Sequence, residues 1–301
     1  MHIRKAILRT AYKYFPFSLK GDMKIENTDP ETELSCVINF YRTTHLLRNI
    51  LSCLTEQDIS KDKFEVVLIE DRNGTEEGKA LADLYGSKLN IRYFTLQSNF
   101  GHMGFSRNLG VSKVKGKYVL LLDDDTVILQ NDFIATLIKE FENTGADAIV
   151  PHGCASFSLI KDKYDYHDPY YPTSRCMGYT REVLGEMEGF VSDMVGQEDV
   201  EFVVRLNAAR KKIVQSPRLD YYHPPLIVDN LRKPAAVGAS FAKLRSRYPL
   251  LILLMLIMNG ARHLPLLPLP FNKRFLMQGK FSLGFLLGVL YSVVGKTTTY
   301  S

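Results

Sequence analysis

Lys117-Tyr118-Val119-Leu120-Leu121-Leu122-Asp123-Asp124-Asp125-Thr126 reads as a buried strand running into three acids, and the rest of the chain is organised around it. Tyr118 to Leu122 is apolar without alternation, as expected of a strand covered on both faces in a parallel sheet. It runs straight into three adjacent carboxylates. These repel one another, so a fold tolerates them at a strand end only where something positive sits beside them. Hard divalent cations take oxygen ligands, and Mg²⁺ completes one or two carboxylates with waters and substrate phosphates. In open α/β sheets ligands bind at the carboxyl ends of strands, where this cluster falls. The alternative is a solvated acidic turn ahead of a helix near Asp132. The rest of the chain favours the metal–phosphate reading.

Upstream, Leu34 to Phe40 reads as a first strand, followed by a helix with apolar positions Leu46, Leu47, Ile50, Leu51 and Leu54 and with Thr43 or Thr44 as its cap. Phe64 to Ile69 is a second strand ending in Glu70-Asp71-Arg72-Asn73-Gly74, and Thr75 opens the next helix. Ile91 to Thr95 is a third, short strand, and Asn99 to Asn108 leads into a helix before the strand at 118–122. Strands alternating with helices indicate a mainly parallel, Rossmann-like α/β sheet flanked by helices. An isolated strand-end acid is usually a turn former. Here Asp71 and the Asp123/Asp125 pair converge on one sheet edge, which suggests a nucleotide–metal site.

Composition excludes some classes. A net charge of +5 is mild and does not call for nucleic acid as a partner. Cys36, Cys53, Cys154 and Cys176 lack metal spacing; two of them sit in apolar runs and read as small core residues, and the compartment reads as reducing. Met1-His2-Ile3-Arg4-Lys5 does not open a signal peptide. No apolar run reaches about 18 residues, so no transmembrane helix is expected.

The order of motifs over residues 34–225 resembles the family 2 glycosyltransferases, which have the GT-A fold. Val67 to Gly74 is similar to their VVDDGS turn, and Asn99-x-Gly101-x-x-Gly104-x-x-Arg107-Asn108 to their N-x-G-x-x-x-A-R-N segment. Leu122-Asp123-Asp124-Asp125 resembles their D-x-D. Glu188-Gly189-Phe190 stands for the GGF turn. Gly196-Gln197-Glu198-Asp199-Val200-Glu201 through Arg205-Leu206 stands for G-x-E-D-x-D-L-x-x-R-L. Two positions depart from the pattern: Asn39 replaces a proline and Glu70 the first aspartate of its pair.

The resemblance implies an inverting, sugar-nucleotide-dependent transferase of the hexosyltransferase class, working without a covalent enzyme intermediate. Asp125, with His223 after the next strand, would hold Mg²⁺ or Mn²⁺ against the diphosphate. Asp123 would reach the ribose or share the metal through water. Asp71 would bind the base and Arg107 the base or phosphates, with Asn39, Tyr41 and Asp124 completing the nucleotide-sugar site. Asp199 would be the base that deprotonates the acceptor hydroxyl, and Glu198 would bind or orient the acceptor. The donor is expected to be a UDP-sugar, and the acceptor a glycan or lipid-linked molecule in cell-surface polysaccharide or glycolipid assembly. A nucleotidyltransferase of related fold is the alternative enzyme, although Asn39 to Thr44 contains no glycine for its phosphate loop. A non-catalytic binding protein is the other alternative, and the presence of both Asp125 and Asp199 argues against it.

Three segments result: a basic amphipathic extension and linker at 1–33, the GT-A domain at 34–230, and an apolar helical extension at 231–301. Tyr248 to Met258 and Phe281 to Val294 are short apolar runs near basic residues. They suit shallow attachment to the cytoplasmic face of a membrane, without a simple span. Packing on the core is the other reading.

Overall fold

The computed structural model describes residues 3–23, 29–155, 164–165, 175–224, 226–269 and 272–296. The four expected strands form: β1 (Thr32–Phe40), β2 (Phe64–Glu70), β3 (Ile91–Thr95) and β4 (Gly116–Asp123). They pair in parallel in the order β3-β2-β1-β4. The alternating set Val37, Val67, Val119, Leu121 enters one core, and Cys36, Ile38, Val66, Leu68, Leu120, Leu122 enters the other. Both faces are thus apolar, which is why these strands show no polar alternation.

Beyond β4 the sheet changes direction. β5 (Ala148–Ala155), the two-residue β6 (Tyr164–Asp165), β7 (Cys176–Thr180) and β8 (Ile213–His223) complete it. β7 lies antiparallel between β4 and β5, and β8 runs parallel to β5. Helices α2 (Thr44–Thr55), α3 (Glu76–Gly86) and α5 (Phe133–Thr144) belong to one side, with buried Leu47, Ile50, Leu81 and Phe133. On the other side lie α1 (Ile3–Tyr14), α4 (Met103–Lys113), α6 (Arg181–Glu186), α7 (Glu198–Ala208), α8 (Arg232–Lys243), α9 (Leu250–Ala261) and α10 (Lys273–Val293).

The N-terminal helix docks on the domain. Leu8, Ala11 and Phe17 are buried, Arg9 Nε donates to Asn207 O at 3.1 Å, and Phe17 packs on Tyr248 with ring centroids 4.7 Å apart. Its anchor is the buried Arg205 on α7. Arg205 pairs with Glu201 at 2.8 Å and donates to Leu19 O, Met187 O and Gly189 O. Tyr248 donates its hydroxyl to Glu201, so one buried ion pair ties four chain segments together. Such a pair is stable only while its spare donors and acceptors are met. Tyr248→Phe removes a hydrogen bond to a buried charge and is expected to lower unfolding stability by about 1.5–3 kcal/mol, read as a lower urea midpoint with unchanged slope.

At the C-terminus the second apolar run begins earlier than hydropathy suggests. Asn272 caps α10 by accepting from Phe275 N, so the helix takes in Lys273, Arg274 and Lys280 and reaches 21 residues. It is the one helix among the described residues long and apolar enough to cross a membrane by length and composition. The expectation that no segment reaches spanning length is corrected on that point. Capping, not hydropathy, sets where a helix starts. In the fold, α10 lies against α8 with backbones nearly touching: a Cβ at Gly288 would sit 1.8 Å from Ala235 O, and one at Gly238 1.9 Å from Phe285 O.

Candidate active site

The carboxyl ends of β1, β2 and β4 are level, because Asn39 is in register with both Ile69 and Asp123, and Phe40 with Glu70. The chain leaves all three strands at one edge. There Asp71 is held by the backbone: its N–H donates to Phe40 O, and its carboxylate accepts from Arg72 N and Gly101 N, both at 2.8 Å. This brings the Asn99–Gly101 turn against the end of β2. Glu70, at the departure from the family pattern, is buried and structural. It accepts from Thr75 N at 3.0 Å, Thr75 Oγ1 at 2.8 Å and Tyr93 OH at 2.6 Å, fixing the start of α3. Asn39 Nδ2 donates to Ser106 Oγ at 2.6 Å. Two guanidinium groups, Arg42 and Arg72, pack over the Tyr41 ring at 5.1 and 5.3 Å from its centroid.

His223, the last residue of β8 and not beyond it, is carried to the acidic cluster by reciprocal backbone hydrogen bonds between Val127 and Tyr222. Its Nε2 lies 2.9 Å from Asp125 Oδ1 and 3.5 Å from Asp123 Oδ2. One ligand atom from each of Asp123, Asp125 and His223 falls within 4.8 Å of the others. His223 Nδ1 faces Pro224 O at 2.6 Å. With Nδ1 as the donor there, Nε2 is the nitrogen turned to the carboxylates; without a cation it carries a proton shared with them, and it would ligate a cation on losing that proton. One imidazole and two carboxylates, converging and partly accessible, fit a hard or borderline divalent cation.

The electrostatics agree with a site built for compensating charge. Burial opposes a charge on His223, yet its contacts with Asp123 and Asp125 carry its pKa up to about 9. Burial also works against the Asp123 carboxylate, but His223 and Arg107 bring it down to about 2. Asp124 differs: burial raises it to about 6, with the charges of Asp125 and Asp123 adding and the Thr43 hydroxyl opposing. Asp124 accepts from Thr43 Oγ1, at the head of α2. Against the expectation from sequence, Thr43 stands at the N-cap position of α2 but its side chain makes no capping bond; its hydroxyl is turned to Asp124, to which it donates.

Arg107, on α4, connects this cluster to the far side of the cleft. Its guanidinium is buried, with Nη2 3.1 Å from Asp123 Oδ1 and Nε 2.6 Å from Glu198 Oε1. Glu198 and Asp199 open α7, which is buried along its whole length. Burial raises the Glu198 carboxyl above its ordinary range, and the Arg107 charge opposes that rise. Asp199 is buried and accepts from Val200 N through Oδ1 at 2.8 Å, which fixes its rotamer at the head of the helix. The structure therefore joins Asp123, Asp125, His223, Arg107 and Glu198 in one contact chain, with Asp199 adjacent to Glu198. Asn39, Tyr41 and Asp71 stand along the same sheet edge.

Three participants are not legible in the sequence in these roles. Ser106 holds Asn39, Thr43 holds Asp124, and Arg175 borders the Asp123–Asp125–His223 cluster. The Arg175 carbonyl accepts from Asp123 N at 3.0 Å and Thr126 Oγ1 at 2.8 Å, and its charge bears on both Asp123 and His223. Antiparallel pairing of Leu122 with Cys176 puts Arg175 opposite Asp123. The sequence carries no signal for that pairing.

Residues 35–190 match the family described as Glycosyl transferase family 2. Among curated relatives, the poly(ribitol-phosphate) beta-N-acetylglucosaminyltransferase TarS of Staphylococcus aureus is 30% identical over 96 residues, 32% of this chain and 17% of that protein. The UDP-Gal:alpha-D-GlcNAc-diphosphoundecaprenol beta-1,3-galactosyltransferase of Escherichia coli is 26% identical over 164 residues, 46% of this chain and 58% of its own length. The chain thus matches less than a fifth of TarS and somewhat over half of the second relative. Among solved structures, the mannosyltransferase PcManGT from Pyrobaculum calidifontis, in complex with GDP-Man and Mn²⁺, has a TM-score of 0.64 at 14% identity, covering 97% of this chain and 95% of that one. S. aureus TarS 1-349 in complex with UDP-GlcNAc has a TM-score of 0.56 at 16% identity, covering 90% and 94%. At these identities the structures share a fold. With the family match spanning just over half its residues, this chain belongs to glycosyltransferase family 2 and has the GT-A fold.

Proposed function

We propose that this protein transfers a sugar from a nucleotide-sugar, a UDP-sugar first among candidates, to an acceptor hydroxyl with inversion at the anomeric carbon. The observation that carries the reading is the Asp123–Asp125–His223 cluster joined through Arg107 to the acids that open α7. Asp125 and His223, with Asp123, would hold Mg²⁺ or Mn²⁺. When bound there, the cation supplies positive charge to the diphosphate leaving group. Asp71, Asn39, Tyr41 and Asp124 line the nucleotide side, and Thr43 and Ser106 keep two of them in place. Asp199 takes the proton from the attacking hydroxyl, a role that requires hydrogen-bond reach and not a covalent bond to the sugar.

Glu198 acts on the acceptor side through Arg107. Its carboxylate is buried and fixes a guanidinium that also holds Asp123, so donor and acceptor halves share one cation. Arg107→Lys keeps the charge but loses the fork that makes both contacts. The expected loss is roughly 10- to 100-fold in kcat/KM, about 1.4–2.7 kcal/mol. Unchanged kcat/KM in steady-state assays would remove Arg107 from this role.

A UDP-sugar and a lipid-linked or polymeric acceptor are supported by what the relatives' names state of those proteins: UDP-Gal and a diphosphoundecaprenol acceptor in one, a poly(ribitol-phosphate) acceptor in the other. Cell-surface polysaccharide or glycolipid assembly at the cytoplasmic face of a membrane follows as the setting. The functional test is transfer from a UDP-α-sugar to a hydroxyl acceptor, read by the anomeric proton coupling of the product. A β-product agrees with direct displacement, and an α-product sinks the inverting mechanism.

A further inference from the structure

Residues 230–301 contain ten Lys or Arg and no Asp or Glu, although the whole chain carries only +5. Within this basic segment α9 has two apolar faces. Ile252, Leu253 and Leu256 point inward and are buried, while Leu250, Leu251, Leu254 and Met258 are 70%, 46%, 46% and 69% exposed. Leu250, Leu254 and Met258 form one i, i+4 row. A helix on the surface of a water-facing domain carries polar groups on that row. Here the first charge met is Arg262, just past the end of α9, and exposed Lys243 and Arg245 precede it.

The other candidate for membrane contact is α10, which has spanning length. Its inner row is committed to the fold. Phe285 is fully buried, packs edge-on against Phe241 with centroids 5.2 Å apart, and its ring would lie 2.5 Å from a Cβ at Gly260. Taking α10 across a bilayer would strip α8 of its partner and open the core. α8 in turn rests Val237 on Gly196, beside the loop that presents Glu198 and Asp199; a Cβ at Gly196 would lie 3.2 Å from Val237 Cγ2.

We infer that α9 is a lipid-docking element. It lies in the plane of an anionic bilayer, with Leu250, Leu251, Leu254 and Met258 among the acyl chains and Lys243, Arg245 and Arg262 at the headgroups, while α10 remains a packing helix. The 12 residues of α9 extend about 18 Å, short of the roughly 30 Å hydrocarbon core. Charge complementarity selects the occupant: the flanks are all cationic, and anionic lipid attracts such segments. Through α8 the docked face adjoins the acceptor side of the cleft. The inference rests on the reading that this transferase works at a membrane.

The test is co-sedimentation of the full chain with phosphatidylcholine vesicles, with and without phosphatidylglycerol, at low salt. The parent chain is expected to bind the anionic vesicles more strongly than the neutral ones. Leu254→Glu with Met258→Glu should lower the partition coefficient about tenfold or more without moving the thermal midpoint, since both side chains are exposed. Leu290→Glu with Val294→Glu, at the exposed end of α10, should bind like the parent. If the parent binds neither vesicle, the membrane reading itself falls. If it binds and the α9 variant binds equally, or only the α10 variant loses binding, the docking face is misassigned. If the α9 variant instead splits a dimer in sedimentation velocity and the parent ignores vesicles, the row is a self-association face and the inference is overturned.

Discussion

Asp125→Asn is expected to lower turnover by about 10²–10³-fold or more, the loss seen when one preorganised charge-stabilising group is removed. The substitution keeps the shape of the side chain and removes the charge. Asp125 Oδ1 lies 2.9 Å from His223 Nε2, and these two groups with Asp123 form the candidate metal cluster among the described residues. Without the Asp125 carboxylate, a cation retains one carboxylate and one imidazole, and the developing charge on the diphosphate is met less well. Nucleotide binding should lose its dependence on added Mn²⁺ or Mg²⁺. The fold should persist, because the Asp125 side chain is a quarter exposed and sits at the cleft, not in the core. The checks are initial rates at saturating donor and the thermal midpoint of the metal-free protein. Parent-level turnover in the variant would show that Asp125 holds no essential cation.

Asp199→Asn should separate chemistry from donor binding. The carboxamide oxygen of the variant can still accept from Val200 N, the contact that Asp199 makes through Oδ1 at 2.8 Å, so the head of α7 stays formed. What disappears is the basic oxygen. Loss of a positioned base costs roughly 10²–10⁴-fold in rate, and the donor Kd should stay near the parent value, because the proposed nucleotide contacts lie on other residues. Rapid-quench turnover and nucleotide titration together decide the matter. A collapse of donor affinity with a near-normal rate at saturating donor would move Asp199 to the nucleotide side and leave the base unassigned.

Much of this is legible in the sequence, because its signals are local or rest on sheet periodicity. The uninterrupted apolar run of β4 marks a strand covered on both faces, and the acids at its end mark the functional edge. The order of short motifs marks the family, and the acids before Phe202 fall at a helix start as read. The rest depends on contacts between residues far apart in the chain. Thr43 reads as a cap because threonine before an apolar helix usually caps it; Asp124, 81 positions away, takes its hydroxyl. Arg175 reaches the acidic cluster through antiparallel pairing of β7 that no periodicity announces. Hydropathy places the start of the last apolar helix at Phe281, because Lys273, Arg274 and Lys280 weigh against it, whereas the Asn272 cap sets its true boundary.

The sheet edge is proposed to bind a nucleotide-sugar through a divalent cation. The deciding measurement is thermal unfolding of the full chain against a panel of UDP-, GDP- and dTDP-sugars, each with Mn²⁺ and with EDTA. A ligand of the native state at 100 times its Kd adds about 2.7 kcal/mol of stability. This gain is expected for a UDP-sugar in Mn²⁺, with its loss in EDTA and its loss in Asp125→Asn with metal present. Equal protection with Mn²⁺ and with EDTA, or none from any sugar nucleotide, would contradict it.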